Sequence, residues 1–113
     1  MPGVKCLPPR NVKMQDLTHI LQKILRKKNV RKAVLFGSAA RGTDTGKSDL
    51  DLMIIHETTK RFFDRFDEFD EIYDVVKGRA VDLLIYTPEE LKAIADRPFI
   101  KRILEEGRTI YER

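Results

Sequence analysis

The stretch LFGSAARGTDTGKSDLDLMII, residues 35–55, contains the two features from which the rest of the chain is read. An apolar run stops abruptly at Gly37-Ser38, and a second strand-like run opens with Asp49 and Asp51. Side chains two apart on a strand point to the same face. Asp49 and Asp51 therefore project together, in line with Met53 and Ile55. Burying an unpaired carboxylate is costly, so an acidic pair on a face that is apolar further along needs compensation. One compensation is a basic side chain, or water at the strand mouth. The other is a hard cation, since magnesium prefers oxygen ligands and pairs carboxylates with substrate phosphates.

Elements follow in order on either side of this stretch. MPGVKCLPPRNVK holds three of the five prolines and little periodicity, so residues 1–15 read as an extended lead-in. Residues 16–113 read as a single domain, the number that this length suggests. Leu17, Ile20, Leu21, Ile24 and Leu25 recur at helical spacing behind Asp16, a candidate N-cap. AVLF (33–36) is a short strand halted by Gly37. SAARG offers one capped helical turn, TDTGKS a polar turn, and LDLMII (50–55) the second strand. From Lys60 to Lys77 a long helix is expected, with Phe62, Phe63, Phe66, Phe69, Ile72, Tyr73 and Val76 on one stripe and Gly78 closing it. AVDLLIY (80–86) is the third strand, with Asp82 on the face of Leu84 and Tyr86. Thr87-Pro88-Glu89-Glu90 is a capping box with proline at the first helical position, opening a helix to about Ala95. PFIKRILEEG makes a further helix, and RTIYE an edge strand. The fold class is α/β of the α+β two-layer kind: a small mixed sheet with helices covering at least one face.

Composition narrows the possible functions. The single cysteine, Cys6, excludes an intrachain disulfide and a zinc-cysteine cluster. No run approaches a membrane span and no apolar signal core opens the chain, so a cytoplasmic protein is expected. Net charge is +4, from 22 basic and 18 acidic residues. The basic residues crowd between Lys23 and Lys32, whereas Glu57 to Asp74 is mostly acidic. Such asymmetry suits a polyanionic partner, and it equally suits a solvated helix face.

The Gly-Ser turn bears on the choice between the two compensations. Glycine at a strand end lets backbone approach a ligand, and a following helical turn aims N–H groups and a positive dipole at it. Ser38 and Ser48 add hydroxyls, and Arg41 and Lys47 supply cations. A phosphate cradle facing a carboxylate site is the equipment of phosphoryl or nucleotidyl transfer. A plain strand-to-helix turn with a serine cap would read the same when taken alone.

Gly37-Ser38, ten intervening residues and Asp49-Leu50-Asp51 resemble the signature of the DNA polymerase beta-like nucleotidyltransferase superfamily. The match is nearest to its short members, the minimal nucleotidyltransferases. It extends to ARG after the serine, to SDLDLMI, to Asp82 as third carboxylate and to the ending LEEGRTIYE. The resemblance implies a polymerase-beta palm, ATP as donor, two magnesium ions, and transfer of a nucleoside monophosphate with release of pyrophosphate. It assigns Gly37 and Ser38 to the triphosphate, Asp49 and Asp51 to both metals, and Asp82 to the second metal and to deprotonation of the acceptor. Minimal members are commonly paired with a HEPN-domain RNase toxin, which they adenylylate on tyrosine as its antitoxin. A HEPN-domain partner is therefore implied here. Rival readings are a stand-alone transferase acting on a small hydroxylated molecule, and a non-catalytic partner that neutralises a toxin by binding. A single palm without fingers or thumb argues against nucleic acid as direct substrate.

Overall fold

The computed structural model describes residues 14–37, 49–76 and 80–113. The elements are α1 (Met14–Arg26), β1 (Val30–Phe36), β2 (Leu50–His56), a 3-10 helix (Phe62–Phe69), α2 (Asp70–Val75), β3 (Val81–Tyr86), α3 (Pro88–Ile94), α4 (Pro98–Glu106) and β4 (Arg108–Glu112). The four strands form one mixed sheet in the order β3-β2-β1-β4. β1 runs antiparallel to both its neighbours, whereas β2 and β3 are parallel.

Period-two alternation sends each strand's residues to two different layers. Ala33, Leu35, Leu50, Leu52, Ile54, Leu83 and Ile85 pack under Leu21 and Leu25 of α1 and under Phe69 and Ile72. The opposite parity, Val34, Met53 and Ile55, packs under Ile100 and Ile103 of α4, with Leu91 and Ile94 of α3 alongside. Each of these side chains larger than alanine contributes about 1.5–3 kcal/mol when fully buried. Both faces therefore carry helices, and the second cover is the smaller. The helix at 88–94 begins as its sequence suggests: Thr87 accepts from the Glu90 N–H while the Glu90 carboxylate accepts from the Thr87 N–H.

Three expectations are corrected. Asp16 does not cap α1; the helix starts at Met14 and Asp16 lies within its first turn, where negative charge still favours the helix dipole. β1 begins at Val30, before AVLF, because Val30 is itself fully buried. The long helix expected over 60–77 is instead a 3-10 helix followed by the short α2. Phenylalanine and aspartate are poor helix formers, and three residues per turn align Phe62, Arg65 and Glu68 in one row. Arg65 lies 5.9 Å from the Phe62 ring and is only 4% exposed. Its Nε donates to Lys60 O, its Nη1 to Ile85 O, and both Nη atoms reach the Glu90 carboxylate at 2.6 and 2.9 Å. Of the expected aromatic stripe, Phe69, Ile72 and Val76 are buried, whereas Phe63 is 82% exposed. Lys77 and Gly78 lie outside the described residues. Among the described residues no helix is long and apolar enough to cross a membrane.

Candidate active site

The carboxylates lie at the end of the sheet where β2 and β3 begin. Phe36 of β1 pairs with Asp51 of β2, and Asp51 pairs with Asp82 of β3. Phe36, Asp51 and Asp82 thus form one row across three strands, on the face that holds Met53 and Ile55 further along. The Leu50 N–H donates to Ala80 O at 2.8 Å, fixing the parallel register at the point where Asp82 enters. Asp51 is half-buried, and Asp49 and Asp82 are exposed. Two like charges side by side on a ladder repel, and a cation between them would relieve that repulsion.

Gly37 follows Phe36 with a φ of 71°, the left-handed region that favours glycine. A Cβ built on Gly37 would run into the Asp51 carboxylate. The sequence suggests that this glycine admits a ligand. The structure shows that it first admits Asp51, whose carboxylate rests against the turn backbone. Tyr73 on α2 also senses the row: its phenol is pushed up by burial, then by the negative charges of Asp82 and Asp70.

Three aspartates supply hard oxygen donors of the kind magnesium takes; strand register sets Asp51 and Asp82 on one face, and Asp49 lies just before β2. Among the described residues, however, no three histidine, cysteine or acidic side chains converge closely enough to hold an ion. The donor chemistry fits a divalent cation, and the side chains would have to rotate onto it. Ser38, Arg41, Lys47 and Ser48 lie outside the described residues.

Several residues around the site and the framework were not singled out from sequence. Phe36 is Asp51's ladder neighbour, and Phe99 at the start of α4 meets the Phe36 ring edge-on at 6.0 Å. The Arg65–Glu90 pair braces β3 against α3, and Glu90 is held down to about 2, mainly by the Arg65 guanidinium and then by the Thr87 N–H. A basic residue inside an aromatic stripe was the available signal for Arg65. His56 is buried, its Nδ1 3.1 Å from Asn29 O and its Nε2 3.1 Å from Glu68 Oε2.

An open cavity of about 860 Å³ lies at the opposite end of the sheet, lined by Lys27, Lys28, Arg31, His56 and Lys60 among others. Its cations already have partners: Lys27 and Lys28 meet Glu71, Arg31 meets Glu57, and Lys60 meets Glu68. That end is a paired ionic surface. The carboxylate end holds the residues suited to chemistry.

Comparison with known proteins identifies the family. Residues 19–113 match the family described as "Polymerase beta, Nucleotidyltransferase". The chain belongs to that family. Two candidate protein adenylyltransferases of Methanocaldococcus jannaschii are among the relatives of this nucleotidyltransferase. One is 33% identical over 94 residues, 82% of this chain and 89% of its own length. The other is 34% identical over 98 residues, 82% of this chain and 92% of its own length. Among solved structures, a toxin-antitoxin crystallised with AMP-PNP superposes with a TM-score of 0.65 at 20% identity, over 85% of this chain and 73% of the other. A tri-AMPylated Shewanella oneidensis HEPN toxin in complex with MNT antitoxin gives 0.62 at 17% identity, over 89% and 74%. At those identities the likeness is one of fold.

Proposed function

We propose that this nucleotidyltransferase moves AMP from ATP to a protein hydroxyl, a tyrosine of a HEPN-domain RNase toxin, and so acts as that toxin's antitoxin. The observation that carries the reading is the Asp51–Asp82 row against the Gly37 turn, in a chain of this family. The adenylyltransferase relatives support protein as acceptor, and the toxin-antitoxin complexes of the same fold support a HEPN partner.

Asp49 and Asp51 would hold magnesium, with Asp82 completing the second of two ions. Bound there, magnesium would supply positive charge against the phosphates and the developing oxyanion. The chain's own groups act around that charge. Gly37 keeps the turn backbone low, leaving room for the Asp51 carboxylate and for a triphosphate above it, and Ser38, Arg41, Lys47 and Ser48 are assigned to the same phosphates. In the transfer the acceptor oxygen bonds to the α-phosphorus as the bond to pyrophosphate breaks. The hydroxyl proton passes to the exposed Asp82 carboxylate. An exposed site is open to water, and a docked partner both excludes water and positions its hydroxyl.

The test is incubation with ATP and magnesium, with and without the HEPN-domain protein encoded in the same genome, followed by intact mass spectrometry. The reading expects additions of one adenylyl group on the partner, and little ATP turnover by the isolated chain. A partner that binds tightly and never gains mass would establish a non-catalytic antitoxin. Label found only on small hydroxylated molecules would establish the stand-alone transferase.

A further inference from the structure

Phe99 is a phenylalanine that the fold leaves largely uncovered. It is 58% exposed at the first turn of α4, while Ile100 and Ile103 of the same helix are 3% and 2% exposed. Among the described residues the other large exposed apolar side chains are Ile20, Phe63, Tyr73 and Leu104. Phe63 rests on Phe62, which also meets Tyr86 at the far end of β3. Phe99 is the one whose ring contacts the ladder neighbour of Asp51. Its link to the site is Phe36, paired with Asp51 on the same face and set edge-on to Phe99, with 6.0 Å between centroids and 84° between planes.

An edge-on pair leaves at least one face of each ring unused by the other. Phe99, the more exposed of the two, therefore offers an aromatic face to solvent beside the carboxylates. Asp51 and Phe36 are ladder neighbours, and 6.0 Å separates the centre of the Phe36 ring from that of Phe99. A nucleotide whose phosphates meet the carboxylate row would find these two rings beside it. We infer that Phe99 is the stacking platform for the nucleobase of the donor nucleotide, with the ribose lying across Phe36. The inference rests on the proposed nucleotidyl transfer and adds the place of the base. Stacking discriminates poorly among bases, since every base has a π-face. The platform thus fixes the base's position and leaves the choice of base to other contacts.

The experiment compares binding of ATP and of inorganic tripolyphosphate, each with magnesium, to the wild-type chain, Phe99→Ala and Phe99→Trp, by calorimetry. Phe99→Ala should weaken ATP on the order of tenfold and leave tripolyphosphate unchanged, while Phe99→Trp should bind ATP at least as well as wild type. ATP affinity unchanged in Phe99→Ala would overturn the inference and leave the proposed function standing. If transfer to the partner then fell all the same, the ring would belong to the acceptor's docking surface. Equal loss of both ligands would overturn the inference too, by making Phe99 a support of the phosphate site. Failure of the wild-type chain to bind either ligand would remove the nucleotidyl-transfer reading itself.

Discussion

Replacing Gly37 by alanine separates the chemistry of the site from the stability of the fold. The residue sits at a φ of 71°, where an L side chain costs about 1–2 kcal/mol. Restricting the unfolded chain returns about 0.4–1 kcal/mol of that. The new methyl group also collides with the Asp51 carboxylate, the free end of a side chain that can swing aside at about 0.5–1.5 kcal/mol. The net loss is roughly 0.5–3 kcal/mol, which a domain of ordinary stability survives. Urea denaturation should show a lower midpoint with an unchanged slope. Activity should suffer far more, because displacing a catalytic group by about 1 Å can cost on the order of 100-fold. In an Asp51→Ala background the collision is gone, and Gly37→Ala should then cost only its backbone part, about 1 kcal/mol or less. Gly107→Ala is the control. Its φ is −70°, but a Cβ there meets Ile103 O, Val34 and, at 3.1 Å, Leu35 O, so it should destabilise by about 1–3 kcal/mol while the folded fraction stays active. Adenylyl transfer by Gly37→Ala within about threefold of wild type, against the roughly 100-fold expected, would refute the contact between turn and carboxylate as a catalytic constraint.

Two further outcomes follow from the same geometry. Asp51→Asn should abolish transfer while the chain still folds, because it removes a metal-binding carboxylate and keeps the side chain's shape; near wild-type transfer would sink the assignment. Glu90, held at about 2 against an unfolded value of 4.5, contributes stability that is fully present above about pH 4.5 and is lost as pH falls toward 2. Its side chain is 43% exposed, so after solvent screening that contribution is about 1–2 kcal/mol. Acid titration of stability should show this limb in the wild type and not in Glu90→Gln, which should itself cost about 2 kcal/mol at neutral pH by leaving Arg65 buried without its counter-charge.

What the sequence discloses here is what local rules govern. Alternation along LDLMII and AVDLLIY puts Asp51 and Asp82 on the face of their apolar neighbours, as the strands then do. The capping box at Thr87 is a matter of four adjacent residues, and it forms as written. The register that sets Asp82 beside Asp51 is a tertiary fact, fixed by the crossover from β2 to β3. The same holds for Phe99 on Phe36 and for Arg65 on Glu90, whose partners are distant in sequence. The helix expected at 60–77 fails because the pattern records which residues are apolar and is blind to Arg65. Once that guanidinium is anchored to Lys60 O, Ile85 O and Glu90, the segment takes three residues per turn. The role of Gly37 was half visible: a glycine is required there, and a carboxylate on another strand is the immediate reason.

The pairing of β1 with β4 bears on the order in which the molecule can assemble. Val34 and Leu35 sit in the middle of the sheet, yet their partners on one side are Thr109 and Arg108, far along the sequence from them. Before β4 docks, β1 and β2 can form a pair and α1 can cover one face. The outer side of β1 meanwhile presents unpaired N–H and C=O groups, the kind of edge that recruits strands from other molecules. Closure also waits on α4, since Ile100 and Ile103 cover Val34 on the second face. Late closure over a long sequence separation is slow in folding terms. A chain lacking β4 would therefore retain the carboxylate row in its sequence while leaving β1 as an open edge in the sheet that has to hold that row in register.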